Sequence, residues 1–405
     1  MELREREDVK PLELFVDLVF VLAFTQRTAL MAGQPNWSGI GRGMLALAVV
    51  WWAWVCYAWL TSLIEPEEGL VRIAMLAATA SLLVVALCVP QAFGDRALGF
   101  AVAYGVVRLG HIALYLIASR DRPGLRHWVR GFATSTAIVI GLLVGAAFVN
   151  GRVQVALWVI AVMLDWGGPA VVGVAEWRLV PAHFAERHDV VIIIALGESI
   201  VALGAGANVD LTASVTVAAV LGMGLAAALW WIYFDVVALV TERRLMHATE
   251  GRERNALASD SYSYLHFPMV AGIVLGALGL KDTLAHVDPP LDGVHAFALL
   301  GGTAIYLLAH VALRLRNART INVERLAVAV LLFALIAAAV HVEALVTIVG
   351  VNVLLWATIA YETFFVYDER RYRLRHGLTI VVPGSYELCQ VLFRILSGQP
   401  HRGGR

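Results

Sequence analysis

"ELFVDLVFVLAFTQ", residues 13–26, is apolar almost throughout, yet it carries Glu13 and Asp17 and closes on Gln26. In a helix, residues four apart share a face, so the two carboxylates stand one above the other. An ionised group near the centre of a membrane helix costs about 2.5–3.5 kcal/mol. A segment that keeps such groups inside an apolar run therefore marks either a fixed structural pair or a working site.

The rest of the chain decides what kind of surroundings this segment enters. Of 405 residues, 60% are hydrophobic and 15% charged, and the mean hydropathy is +0.75. Soluble chains are about 45–50% apolar and about 25% charged, so composition places this chain in the membrane class. The formal net charge is zero, which gives no basic footprint for nucleic acid. Lys10 and Lys281 are the only lysines in an Arg-rich background, a bias expected of a GC-rich bacterial genome. The three cysteines, Cys56, Cys88 and Cys389, have neither the number nor the spacing of a disulfide framework or a zinc site, so no metal and no cofactor is expected. The opening "MELREREDVK" is too acidic for a signal peptide, and the first apolar segment is expected to be retained and to span.

A bilayer core requires about 20 apolar residues per helix. On that criterion the sequence predicts an all-α integral membrane protein of about twelve spans, at 12–32, 42–64, 70–90, 97–118, 129–149, 153–173, 189–206, 212–240, 262–280, 294–314, 324–341 and 344–366. Arg-rich connections fall at 119–130, 241–254, 314–325 and 368–375, all on one side if the spans are right. The positive-inside rule then puts both termini in the cytoplasm, with the protein in a bacterial inner membrane.

An internal duplication runs through these spans. "FVDLVFVLAF" (15–24) aligns with "RHDVVIIIAL" (187–196), which sets Asp17 on Asp189, Ala23 on Ala195 and Gln26 on Glu198. "WWAW" (51–54) aligns with "WWIY" (230–233), and "HIALYL" (111–116) with "HVALRL" (310–315), which sets His111 on His310. The reading is two six-helix repeats of the same orientation, 1–175 and 176–370, related by an axis along the membrane normal, followed by a cytoplasmic tail, 371–405. In the tail, Leu388, Val391, Leu392 and Ile395 share one face of a candidate amphipathic helix at 385–396.

Glu198, in "ALGESIVALG", lies deep in its span beside a stripe of small residues, Ala195, Ser199, Ala202 and Gly206, that lets another helix approach. Its expected role is in an ion, proton or substrate path shared with Gln26, Ser199, Asp165, Asp235, Arg108, His111 and His310, against the alternative of an interhelical hydrogen bond. Arg27, Arg108, His111 and His310 are the candidate cations beside it. Asp17 and Asp189 belong to the path or fix the inner ends of their helices, with Glu13 and Glu186 as further helix anchors. Asp165 precedes "WGGP" (166–169), which predicts a broken helix with freed carbonyls, and Asp235 follows "WWIYF". The Trp pairs read as packing anchors, and His183 and His188 as polar junction residues in preference to metal ligands. No nucleophile-elbow, zinc-protease, phosphate-loop or dinucleotide motif is present, so no catalytic residue is assigned.

With these residues in view, "ELFVDLVFVLAFTQ", "HFAERHDVVIIIALGESIVALG" (183–204) and "YSYLHFPMVAGIVLGALGL" (262–280) resemble the bacterial low-temperature-requirement A (LtrA) family over nearly all of residues 10–370. The resemblance implies a polytopic inner-membrane protein linked by name to growth in the cold. The first helix is also similar to the F-S-D-G-V-F-A-I-A-I-T opening helix of a potassium-channel family built from six-helix units. Phe15, Asp17, Val19, Phe20, Ala23 and Thr25 match it and Val16 replaces its Ser, whereas the second half keeps only Asp189 and Ala195. The expected partners are the lipid bilayer, a small solute or ion, and, as an open alternative, further copies of the chain in a homo-oligomer. The leading function is a secondary transporter or ion-translocating protein. The alternatives are an intramembrane lipid-modifying enzyme and a non-transporting scaffold or sensor.

Overall fold

The computed structural model describes residues 9–67, 69–120, 123–172, 177, 179–206 and 212–366. The tail helix at 385–396, Cys389 and the repeat boundary at 175/176 lie outside the described residues.

Among the described residues the chain forms twelve long helices: α1 (Pro11–Gly33), α2 (Trp37–Thr61), α3 (Gly69–Gln91), α4 (Ala97–Ala118), α5 (Pro123–Ala146), α6 (Gly151–Val172), α7 (Pro181–Gly206), α8 (Ala213–Met246), α9 (Arg252–Ala285), α10 (Gly293–Ala318), α11 (Val323–Ala339) and α12 (Ala344–Tyr361). All but α6, α7 and α11 are long and apolar enough to cross a membrane, nine helices among the described residues. A second unit begins at Ala360 and is described as far as a π turn at Glu362–Val366.

The helix starts follow local chemistry. Pro11 occupies the first turn of α1, and Glu13 reaches back to accept the Lys10 amide at 2.9 Å. Asn36, Thr212, Asp292 and Asn322 cap α2, α8, α10 and α11 by accepting amides from the first turn. Gly251 precedes α9 at φ 95°, a conformation that side-chain-bearing residues rarely adopt.

Four starts come five or more residues earlier than the apolar pattern predicts, with α2 beginning at Trp37, not 42, and α5 at Pro123, not 129. The seventh helix begins at Pro181, not 189, because "PAHFAERH" turns His183 and Arg187 inward onto α1 and so continues the helix. The ninth begins at Arg252, not 262, and passes through a π turn at Ser259–Tyr264. The break expected at "WGGP" is absent: α6 runs unbroken through Gly167 and Gly168 to Val172.

The centre of the molecule is α2, with 89% of its most apolar stretch buried, together with α9 and α10, each 78% buried. The outer helices turn large apolar side chains outward, among them Ile73, Val102, Met163, Val220 and Val353. That surface suits lipid, whereas a soluble monomer rarely carries so much exposed apolar area.

Helices α9 and α10 cross backbone to backbone. A Cβ added at Gly302 would meet the Gly272 carbonyl oxygen at 2.7 Å and the Gly276 amide nitrogen at 2.8 Å. Small residues at such a crossing allow close van der Waals packing in the absence of a hydrophobic drive. Gly302→Ala is expected to cost about 1–3 kcal/mol, as overpacking does, and to lower the thermal midpoint in detergent. Gly141→Ala on α5, where an added Cβ meets nothing within 4 Å, is the control and should leave that midpoint unchanged.

Candidate functional site

The polar residues of the interior gather in nests, and the first lies between the N-terminal ends of α1 and α7. Glu13 faces His183 Nε2 at 3.0 Å and Arg187 Nη1 at 3.2 Å. One turn along, Asp17 accepts from Arg187 Nη2 at 2.8 Å and from the Trp54 indole N–H of α2 at 2.9 Å. The guanidinium also lies 5.7 Å from the Trp54 ring centroid. All of these groups are buried. Such charges are retained inside proteins only when paired and hydrogen-bonded, and here each carboxylate has Arg187 as a cation. Glu186 instead is exposed and accepts the Val9 amide at 3.1 Å.

Contacts climb the two helices in step, from Glu13–His183 through Asp17–Arg187 to Thr25–Glu198. Helices α1 and α7 therefore run parallel, side by side.

The second nest surrounds Asp189. Its Oδ1 lies 2.7 Å from the Tyr233 hydroxyl of α8, and that hydroxyl lies 2.8 Å from His266 Nε2 of α9. His266 donates its Nδ1–H to the Ser261 carbonyl at 2.8 Å. Tyr233 and Trp54 are the last residues of "WWIY" and "WWAW", and Asp189 and Asp17, which align in sequence, each share a hydrogen bond with the aligned aromatic residue. His188 packs at 4.9 Å from the Trp54 ring and 5.3 Å from His266, and His310 at 6.0 Å from the Tyr233 ring. Two π turns, Tyr233–Val237 and Ser259–Tyr264, shape this nest, and such turns inside α-helices are frequent at functional sites. Asp235 is half-buried within the first of them.

The third nest lies about 12 Å further along α1 from Asp17, at 1.5 Å per residue. Thr25 donates to Glu198 Oε2 at 2.6 Å, and Thr28, Arg27 and Lys281 are its other polar neighbours. Arg27 is wholly buried, with its guanidinium 5.2 Å from the Phe24 ring centroid. Ser199 is buried beside Glu198, and Gln26 is half-buried on the facing helix.

A fourth nest joins α2, α4, α5 and α6. Arg108 pairs with Asp165 at 2.7 Å and with Thr136 at 3.2 Å, while Tyr104 donates to Asp165 at 2.7 Å. His111 donates its Nε2–H to the Cys56 carbonyl at 3.0 Å. Of the four candidate cations for Glu198, Arg27 is the one placed beside it; Arg108 and His111 belong to this fourth nest and His310 to the second. Among the described residues, no three His, Cys, Asp or Glu are placed to hold a metal ion.

Sequence reasoning passed over Arg187, Trp54, Tyr233 and His266. Two of them carried a signal, since Trp54 and Tyr233 close the aligned aromatic motifs and are the donors there. Arg187 and His266 had none, because their partners lie far away in sequence or on another helix.

Helices long and apolar enough to span, an outward apolar surface and charges held inside in paired nests define a polytopic α-helical membrane protein. The chain matches the family model of the bacterial low temperature requirement A protein (LtrA) over residues 8–360, and it belongs to that family. It is similar to the uncharacterized protein RA0937 of Rhizobium meliloti (strain 1021), with 29% identity over 313 residues that cover 73% of this chain and 74% of the relative. No solved structure matches it.

Proposed function

We propose that this LtrA-family protein is a secondary transporter or ion-translocating protein of the bacterial inner membrane, with both termini in the cytoplasm. The observation that carries this reading is the α1–α7 seam, where buried carboxylates recur from Glu13 and Asp17 up to Glu198. Ionisable groups held inside a bundle are costly, and they mark ion or substrate paths where they line one. In this reading Glu198, Asp17 and Asp189 stand along the path, with Gln26, Ser199, Asp235 and His310 beside it. The Arg108–Asp165–His111 nest holds the first half together.

The path lies between two parallel six-helix repeats, 1–175 and 176–370, that together make twelve spans. The matched hydrogen bonds of Asp17 with Trp54 and Asp189 with Tyr233 support that arrangement. So does the packing order, since α1 packs on α2 and α3, and α3 on α4, as α7 packs on α8 and α9, and α9 on α10. An axis along the membrane normal relates the halves, and residues 371–405 form the cytoplasmic tail.

Purified protein in liposomes loaded with a pH-sensitive dye tests the reading. Wild type is expected to carry proton or monovalent-cation flux above that of empty liposomes. Glu198→Gln is expected to cut it at least tenfold, with unchanged elution and melting. Flux equal to that of empty liposomes for the wild type, with all common cations and both gradient directions, would rule the reading out. A folded Glu198→Gln variant with full flux would make Glu198 a structural residue.

A further inference from the structure

We propose that Asp189, Tyr233 and His266 form a buried relay that binds one exchangeable proton and shares it between the carboxyl and the imidazole. The hydrogen bonds require it. The Ser261 carbonyl can only accept, so His266 Nδ1 always carries a proton. If His266 is neutral, its Nε2 has only a lone pair, and the Tyr233 hydroxyl 2.8 Å away must donate to it. The phenol has a single proton, so the 2.7 Å contact to Asp189 is then filled by a proton on the carboxyl. If His266 is instead the imidazolium, its Nε2–H donates to the phenol oxygen, and Tyr233 donates to an ionised Asp189. Both contacts are satisfied in each state, and the two states hold the same number of protons, one of which sits on Asp189 in the first and on His266 in the second.

The step between them balances. The Asp189 O–H bond breaks and its proton passes to the phenol oxygen, while the Tyr233 proton passes to His266 Nε2. Tyr233 ends as it began, Asp189 becomes a carboxylate and His266 an imidazolium. No further reactant is needed.

The surroundings favour a site that takes up a proton. His188 and His310 also donate Nδ1–H to backbone carbonyls, of Phe184 and Tyr306, and their Nε2 atoms, like the Tyr262 hydroxyl beside them, have no hydrogen-bond partner. The charged or titratable groups facing the relay are Glu186 and His188 from α7, Glu242 from α8, Tyr262 from α9 and Tyr306 and His310 from α10, with Arg325 of α11 behind His310. The matched site in the first half cannot do this. Trp54 has an indole N–H that donates and never accepts, and Asp17 is fixed by Arg187. The duplication thus yields one fixed carboxylate and one exchanging carboxylate.

For its physiological role the relay rests on the translocation reading, in which it names the proton as the coupled ion. Its own test is spectroscopic and independent of flux. Protein labelled with 15N-histidine in lipid nanodiscs is examined by NMR across pH, beside infrared difference spectra of the Asp189 acid carbonyl, assigned by its loss in Asp189→Asn. His266 is expected as the Nδ1–H tautomer or the imidazolium, with the imidazolium signal and the Asp189 acid band falling together as pH rises, because the two share one proton. Tyr233→Phe should uncouple the two signals, and Tyr262→Phe should leave them coupled. A neutral Nε2–H tautomer at His266 in the wild type would overturn the relay, whether or not Tyr233→Phe folds. So would unlinked titration of Asp189 and His266. A coupled relay in a protein without flux would leave the proton site standing and remove the transport reading alone.

Discussion

Arg187→Met is expected to lower stability by about 3–5 kcal/mol, the usual cost of breaking a buried ion pair from one side. The guanidinium is the cation shared by Glu13 and Asp17, at 3.2 and 2.8 Å, and all three side chains are buried. Without it, two carboxylates one helical turn apart face each other across a space with little water. The triple variant Arg187→Met, Glu13→Gln, Asp17→Asn should recover much of the loss, because neutral groups of similar volume replace buried ion pairs at little cost. Melting in detergent, followed by tryptophan fluorescence, is the measurement. A single variant that melts with the wild type would show that the clamp does not hold α1 to α7.

Asp165→Asn is expected to show a loss of the same size, about 3–5 kcal/mol, by a separate route. Arg108 is fully buried and would be left facing a neutral amide at position 165, with Thr136 and Cys56 as its other polar contacts and no carboxylate to balance its charge. Tyr104→Phe removes a neutral donor from the same carboxylate and should cost less, about 1.5–3 kcal/mol for a hydrogen bond to a charged group. The ordering Asp165→Asn above Tyr104→Phe separates loss of charge balance from loss of one hydrogen bond. Equal losses would mean that Arg108 finds another counter-charge. Effects at Asp165 and at Arg187 should add, because the two nests share no partner.

The order of the long helices was legible in the sequence because apolar runs and Arg-rich connections alternate. Their starts were less so. At α7 the run "PAHFAERH" reads as a polar junction, and the carboxylate that turns His183 and Arg187 inward is 170 residues away at Glu13. At "WGGP" the pattern predicts a break, but the helix continues to Val172 and Asp165 is satisfied by side chains from α4. The candidate site was partly legible. An i, i+4 pair of acids and a lone deep Glu are visible in one dimension, since their cost does not depend on the neighbours. Their partners are set by helix packing. That is why Arg27 could be named among the neighbours of Glu198 only together with Arg108, His111 and His310. Tyr233 was hidden for another reason: an aromatic residue in an apolar helix looks like packing until its hydroxyl is seen between an acid and an imidazole.

The indoles carry a last consequence. Of the twelve tryptophans, Trp51, Trp52, Trp54 and Trp59 lie in the buried stretch of α2, whose exposed start is Trp37, and Trp166 and Trp177 pack against Trp52 and Trp59. Trp54 stands 4.9 Å from the His188 ring and under the Arg187 guanidinium. Half of the emitting groups thus cluster around a single central rod, and one of them touches both an imidazole and a cation. The protein carries a built-in optical reporter, in which the colour and brightness of its own emission follow the state of its interior without any label.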